Sequence, residues 1–418
     1  MSKAPSRTLP SLSSVRPAQR PFAAPAGTPA PQAALGAGGR SGRGLGAAWH
    51  VAAVTTLTSM PVFLPGAASS LICRQLGWGT GRIGAVLAVY WLGSLLGAYT
   101  SRRIRMPVPA ESVVAVALLV TAAALGAGAA VPGPGLWAGS ALGGCVYGFS
   151  QPYTNFLLMR RCPPRRHGTA FGLKQAAVPA ATLLCSVAVP LCAVPLGWWA
   201  VFAGGAVVCA GYAAVLLTRA RRGSLLELSG TEGGLPWDRR LVALAAAGLL
   251  GAVIGNSLGG FLILTLQGDG FPLGTAGFLA AGAAGLSVLV RIGAGWATDR
   301  AGRWTWRLLG VMFATGAGGA LLLAGGGAVS GVVGAVLTYT GGWGWAGLLH
   351  HVAGASYPGH EKHATAMTQM GVSLGAAVGP FAFGRLYEQL EGGAWAVMAA
   401  VGLMALCCVA AGRRNAST

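Results

Sequence analysis

The feature that most limits what this chain can become is a recurring apolar run, repeated from near residue 47 almost to the end with no stretch of soluble-domain size between copies. Each run approaches the ~20 residues that a helix needs to cross a ~30 Å hydrocarbon layer. In such a layer every backbone N–H and C=O must be paired within the chain, so these runs must become helices. Of the 418 residues, 54% are hydrophobic and 9% charged, against about 25% charged in soluble domains. The reading is an all-α integral membrane protein. Spans are expected over 47–68, 83–100, 111–130, 136–158, 169–191, 197–217, 241–266, 274–298, 308–325, 330–352, 364–384 and 393–411.

A net charge of +20 would point to nucleic acid in a soluble protein, but its placement gives another answer. Of the 29 Lys and Arg, Arg74, Arg82 and Arg385 fall on one side, Lys174 and Arg291 within spans, and all others in the tails and the even-numbered loops. Cytoplasmic loops carry such an excess, so the expectation is twelve spans in the cell membrane, both termini cytoplasmic, and no nucleic-acid partner. Residues 1–45 hold Pro, Ala, Ser and Arg without an acid or an apolar core. They read as a disordered cytoplasmic tail rather than a secretory signal.

The longest charged loop, Arg219 to Arg240, divides the spans into two sets of six, and the sets resemble one another. G-G-C-V-Y-G at Gly143–Gly148 lines up with G-G-W-G-W-A from Gly341. A-F-G-L-K-Q-A-A-V, ending at Val178, lines up with A-T-A-M-T-Q-M-G-V, ending at Val372, and G-W-W-A-V from Gly197 with G-A-W-A-V from Gly393. The offset is nearly constant, as an internal duplication requires. The expected organisation is a tail (1–45), an N-terminal six-helix bundle (46–218), a cytoplasmic linker (219–240), a C-terminal six-helix bundle (241–412) and a short cytoplasmic tail (413–418). Repeats related along the membrane normal place a substrate site between the halves near mid-membrane.

One loop carries a signature at fixed spacing, Gly295-x-x-x-Asp299-Arg300-x-Gly302-Arg303. Gly295 suits a close helix crossing and Gly302 a tight turn. Asp299 suits the positive end of another helix, and Arg300 and Arg303 suit the cytoplasmic face. The pattern resembles the loop signature of the major facilitator superfamily of transporters. That resemblance covers the chain from about residue 45 onward and implies twelve transmembrane helices in two bundles that rock in alternating access. It also implies that the loop acid latches the cytoplasmic side. The equivalent loop after the second span reads G-A-Y-T-S-R-R-I-R, with Ser101 in the place of the acid. Asp299 alone is expected to serve fully as the latch.

Arg291 is the first candidate for substrate contact, because a guanidinium within a span is costly and usually faces a cavity or a partner. Its position resembles the anion-binding arginine of nitrate/nitrite porters, oxalate/formate antiporters and monocarboxylate transporters, and its planar fork suits a carboxylate or nitrate-like group. The plainer reading is that it snorkels or pins the gate. Lys174 follows, with snorkelling as its own plain reading. None of the nine Asp and Glu falls deep in a span, so two cations there ask for an anion from the substrate. Gln175 and Gln369 occupy equivalent places in the repeats, and Asn256, Trp343 and Trp345 complete a candidate polar and aromatic lining. Aromatics near an interface more often serve as belt residues than as ligands, and that is the plainer reading of the tryptophans. Tyr153 and Asn155 are weaker candidates. His50, His350 and His351 lie near span ends, where an interfacial role is expected over proton transfer.

Eight cysteines without metal-ligand spacing read as small apolar residues. No catalytic residue, metal, cofactor or nucleotide-binding loop is expected, which excludes an enzyme and an ATP-driven pump. The sequence reads as a monomeric secondary transporter in a lipid bilayer, carrying a small, anionic substrate. Efflux of a drug-like molecule is the alternative. A transport-dead sensor is a third class.

Overall fold

The computed structural model describes residues 43–103, 109–163, 166–220, 238–301, 304–357 and 360–414. The N-terminal tail through residue 42, most of the 219–240 linker and the end of the C-terminal tail lie outside them. The described residues form one compact unit.

The first set of helices is α1 (Arg43–Ala67), the short α2 (Ser69–Leu76), α3 (Thr80–Arg103), α4 (Ala110–Ala130), α5 (Pro134–Arg161), α6 (His167–Ala188), α7 (Val194–Leu196) and α8 (Trp198–Ala220). The second set is α9 (Arg239–Gly268), α10 (Leu273–Ala301), α11 (Thr305–Gly325), α12 (Ala328–Leu337), α13 (Ala346–Ser356), α14 (Glu361–Leu390) and α15 (Ala394–Arg414). Nine helical stretches among the described residues are long and apolar enough to cross a membrane. One of them, Ala364–Arg413, takes in both α14 and α15. Large apolar side chains such as Val207, Leu289, Leu321 and Val329 stand on the outer surface, as lipid-facing positions allow. The protein is a multi-pass, all-α membrane protein.

Within each set, helices approach through small residues, because between helices in lipid the gain comes from close packing rather than from leaving water. On α14, Gly371, Gly375 and Gly379 form one stripe against the carbonyls of Ala245, Leu249 and Val253 on α9. A Cβ at Gly375 would lie 1.9 Å from the Leu249 oxygen. The two sets meet along α3 with α14 and along α6 with α10, and α1 passes α9.

The expected tenth span is not one continuous helix. It is α12, a π-turn over Thr338–Gly342, and then α13. Glycines are poor helix formers, and three fall at Gly341, Gly342 and Gly344. The bare backbone lets α11 close in, so that a Cβ at Gly316 would meet the Gly342 Cα at 2.3 Å. A π-turn and an unwound stretch leave carbonyls without their helical donors. Trp345 satisfies one of these, its Nε1–H donating to the Gly342 oxygen at 2.8 Å.

At the start of α9, Asp238 caps the helix, its carboxylate accepting from the Leu241 N–H at 2.7 Å. The same oxygen accepts from the Tyr357 hydroxyl at 2.6 Å, past the end of α13. Burial and the Asp238 carboxylate together raise the Tyr357 pKa above its ordinary value. The Arg240 guanidinium lies over Trp306 and Tyr357, so this corner ties α9, α11 and α13 together.

Candidate functional site

Arg291 sits on α10 with 3% of its surface exposed, and its guanidinium bridges the two sets of helices. Nη1 donates to the Gln175 carbonyl on α6 at 2.6 Å. In a helix that carbonyl should accept from the residue four positions on, but that residue is Pro179, which has no N–H to give. Nη2 donates to the Trp343 carbonyl, which the unwound stretch after the π-turn has left free. The guanidinium carbon also stands 5.6 Å from the centre of a Trp343 ring. Arg291 therefore fills two backbone vacancies, one in each set, while its Nε is buried without a partner.

Lys174, one turn before Pro179 on α6, is 6% exposed and donates through Nζ to the Asn155 Oδ1 on α5. Its ammonium turns inward rather than snorkelling. The ion pairs among the described residues are Arg161 with Glu111 and Arg385 with Glu388, so Lys174 and Arg291 both meet neutral partners there. Tyr147 on α5 lies within electrostatic reach of Arg291. His350 on α13 lies within electrostatic reach of both Lys174 and Arg291. Its Nδ1 is 3.1 Å from the Thr368 hydroxyl.

Trp343 forms the aromatic wall between the sets. Its indole lies against Gly255, where a Cβ would come within 2.0 Å, and meets Phe63 of α1 edge-on at 5.6 Å. Trp345, two residues on, goes elsewhere. It stacks on Phe313 at 5.4 Å and fills the space over Gly251 inside the second set. Asn256 is buried and gives its amide to the Ala252 carbonyl at 3.0 Å, leaving Oδ1 without a partner. Gln369 donates to Ser373 at 3.4 Å. Gln175 enters through its carbonyl. The structure thus brings together Arg291, the Gln175 carbonyl and Trp343, with Lys174 held on Asn155 one residue before Gln175, while Gln369 stays on Ser373 of its own helix. Asn256 lies beside the Trp343 cradle, and Trp345 stands apart.

Gly295 marks the crossing of α10 with α6, where a Cβ would lie 2.8 Å from the Gly168 oxygen and 3.1 Å from the Gly172 Cα. The Asp299 and Arg300 side chains, and Gly302 and Arg303, lie outside the described residues. Ser101, in the place of the missing loop acid, spends its hydroxyl on the Ala98 carbonyl of its own helix at 2.9 Å. Among the described residues no group of His, Cys, Asp and Glu is arranged to hold a metal.

Solved structures of known proteins share this fold. A bacterial homologue of the human lysosomal transporter Spinster is similar at a TM-score of 0.67 and 14% identity in its inward-facing, occupied form, over 91% of this chain and 98% of that one. The inward-facing, unoccupied form gives 0.67 and 13% over the same shares. The nucleoside transporter NupG gives 0.63 and 15%, over 86% of this chain and 99% of that one. At these identities the likeness is one of fold. No curated protein matches the sequence. The family model for the Major Facilitator Superfamily matches residues 51–380. The chain belongs to that superfamily, whose members are membrane carriers and not enzymes, moving small molecules across the bilayer by alternating access.

Proposed function

We propose that this transporter carries a small organic or inorganic anion through a site between two six-helix bundles. The observation that carries the proposal is the pair of buried cations, Arg291 and Lys174, held at the junction of the two sets by neutral groups alone among the described residues. A buried charge is stable only when paired or well hydrogen-bonded. Backbone carbonyls and an amide hold these two in place, and a carboxylate or nitrate-like group completes the neutralisation. The unpartnered Arg291 Nε is the donor already free for it.

The proposal includes the twelve-span arrangement. To the nine apolar stretches it adds α5, the broken α12–α13 unit, and the division of Ala364–Arg413 into α14 and α15. The bundles run over 46–218 and 241–412, joined by a cytoplasmic linker, with both termini in the cytoplasm of a cell-membrane protein. A reporter active only in the cytoplasm should then work when fused after Thr418 or inserted between Arg219 and Arg240. It should stay silent near Pro134. Activity at Pro134 would break the arrangement.

The substrate class is tested with purified protein, melted in the presence of nitrate, lactate and oxalate and, separately, of cationic drug-like compounds. A ligand at a hundred times its Kd stabilises the folded state by about 2.7 kcal/mol. At least one anion should raise the melting temperature and the cations should leave it unchanged. The reverse result replaces the anion reading with drug efflux.

A further inference from the structure

A second cluster of cations lies away from the junction, on the face where α9 and α11 begin and α15 ends. α15 packs against both of the other helices. Its Gly412 forms the floor between them, since a Cβ there would lie 3.5 Å from the Trp306 ring and 3.6 Å from the Ala243 Cβ. Across this floor the Arg240 guanidinium of α9 lies over the Trp306 ring of α11, its carbon 5.5 Å from the ring centre. One residue after Trp306, Arg307 lies over the ring of Trp304 at 4.7 Å from the centre. Arg239 and Arg413 complete the corner, both exposed.

The positive-inside rule accounts for arginines at a membrane face, but not for their seating. From Arg239 to Gly268, from Thr305 to Gly325 and from Ala394 to Arg414 the three helices carry no Asp or Glu. Asp238, at the same corner, is taken by the Leu241 N–H and the Tyr357 hydroxyl. Among the described residues the ion pairs lie elsewhere, at Arg161 with Glu111 and Arg385 with Glu388. A guanidinium laid on an indole keeps its fork in one orientation with N–H edges free, as bidentate recognition of a phosphate requires. The Arg240 Nε is buried and still has no acceptor. Tryptophan rings belong at the headgroup level of a bilayer, and Trp304 is half exposed. One turn into the helices the same faces become apolar. Val242 follows Arg239 on its face of α9 and Val311 follows Arg307 on its face of α11, both exposed.

We propose that this corner binds an anionic phospholipid, its headgroup phosphate between Arg240 and Arg307 and its acyl chains along Val242 and Val311. A soluble anion would use the arginines alone, whereas the apolar steps beside them select a lipid. Bound there, the lipid joins the starts of α9 and α11 over the end of α15. The site is separate from the junction at Arg291, and it does not depend on the anion reading above.

The test uses full-length protein purified in detergent and offered an equimolar mixture of phosphatidylglycerol and phosphatidylcholine, with native mass spectrometry to read which lipid stays bound. Wild type should retain phosphatidylglycerol over phosphatidylcholine by about tenfold or more. R307Q and R240Q should each lower that preference about fivefold. R161Q removes the same charge from an arginine already paired with Glu111, and should leave the preference unchanged. Arg240 also holds the corner together, so R307Q, whose side chain is exposed, carries the test if R240Q fails to fold. A wild type without the preference overturns the site, as does R307Q with the full preference. An equal loss in R161Q and R307Q also overturns it, because diffuse charge attraction then explains the binding. Glycerol phosphate in excess should not displace the lipid. Displacement overturns the lipid reading, since a site for a small anion needs no acyl chains.

Discussion

Arg291→Ala should abolish binding of a carboxylate or nitrate-like substrate, and Arg291→Lys, which keeps the charge and loses the fork, should weaken it by roughly tenfold to several hundredfold. One charge-assisted hydrogen bond contributes about 1.5–3 kcal/mol, and the lysine forfeits one or two of them. The alanine also strips the Gln175 and Trp343 carbonyls of their donor, so some loss of stability accompanies the loss of binding. A companion substitution separates the two effects. Pro179→Ala restores an N–H four residues after Gln175, giving that carbonyl its own helical partner and releasing Nη1 of Arg291. The freed guanidinium should bind the anion more tightly than wild type. Equilibrium binding to purified protein checks both variants. An unchanged affinity in Arg291→Ala, with a drug-like cation bound as in wild type, removes the guanidinium from the site and the anion with it. Lys174→Ala should cost a comparable amount, because its ammonium is held inside by Asn155 rather than reaching for the interface.

The same residues show what the sequence discloses and where it stops. The apolar runs and the loop signature from Gly295 gave the membrane class and the family, because both depend on spacing along the chain. That Arg291 and Lys174 lie in spans was equally legible. Their partners were not, because a search for opposite charges passes over backbone carbonyls, and a carbonyl becomes available only where a helix loses a donor. Pro179, four residues after Gln175, was a readable sign of one such place. The other depends on the break at Thr338–Gly342, which long-range packing of Gly316 against Gly342 helps to fix. Beyond that break, helical periodicity no longer relates one side chain to the next. Trp343 and Trp345, paired in the sequence reading, therefore part, one to the junction and one to the interior of the second set. His350 was placed at an interface for the same reason. A continuous helix puts it near a span end, whereas in the structure its ring meets the Thr368 hydroxyl of α14.

Gly84→Leu should reduce transport by an order of magnitude or more while leaving the protein folded, because Gly84 lies on a seam that an alternating carrier must open and close. Here α3 begins against the end of α14. The Thr80 hydroxyl donates to the Gly384 carbonyl at 3.0 Å, and the Gly81 N–H donates to the Glu388 carboxylate at 2.7 Å. That carboxylate thus caps a helix of the opposite set, where the N-terminal dipole favours it. A Cβ at Gly84 would stand 2.2 Å from the Pro380 oxygen, and nearby one at Gly66 would stand 2.6 Å from the Gly260 oxygen. Neither set needs this contact for its own packing, so a leucine here acts as a wedge against the closed seam. Overpacking costs about 1–3 kcal/mol, a factor of roughly five to 150 in the balance of two states. Cys73 on α2 provides a native reporter, since burial and the Glu388 carboxylate push its thiol up to about 11. Only the thiolate reacts with alkylating reagents, so the closed seam keeps Cys73 slow at neutral pH. In a chain keeping Cys73 as its sole cysteine, Gly84→Leu should speed labelling by an impermeant reagent about tenfold, through exposure of the thiol and its separation from Glu388. Labelling and transport both at wild-type rates would mean that this seam stays shut throughout the cycle, and the moving contacts would have to lie elsewhere between the two sets.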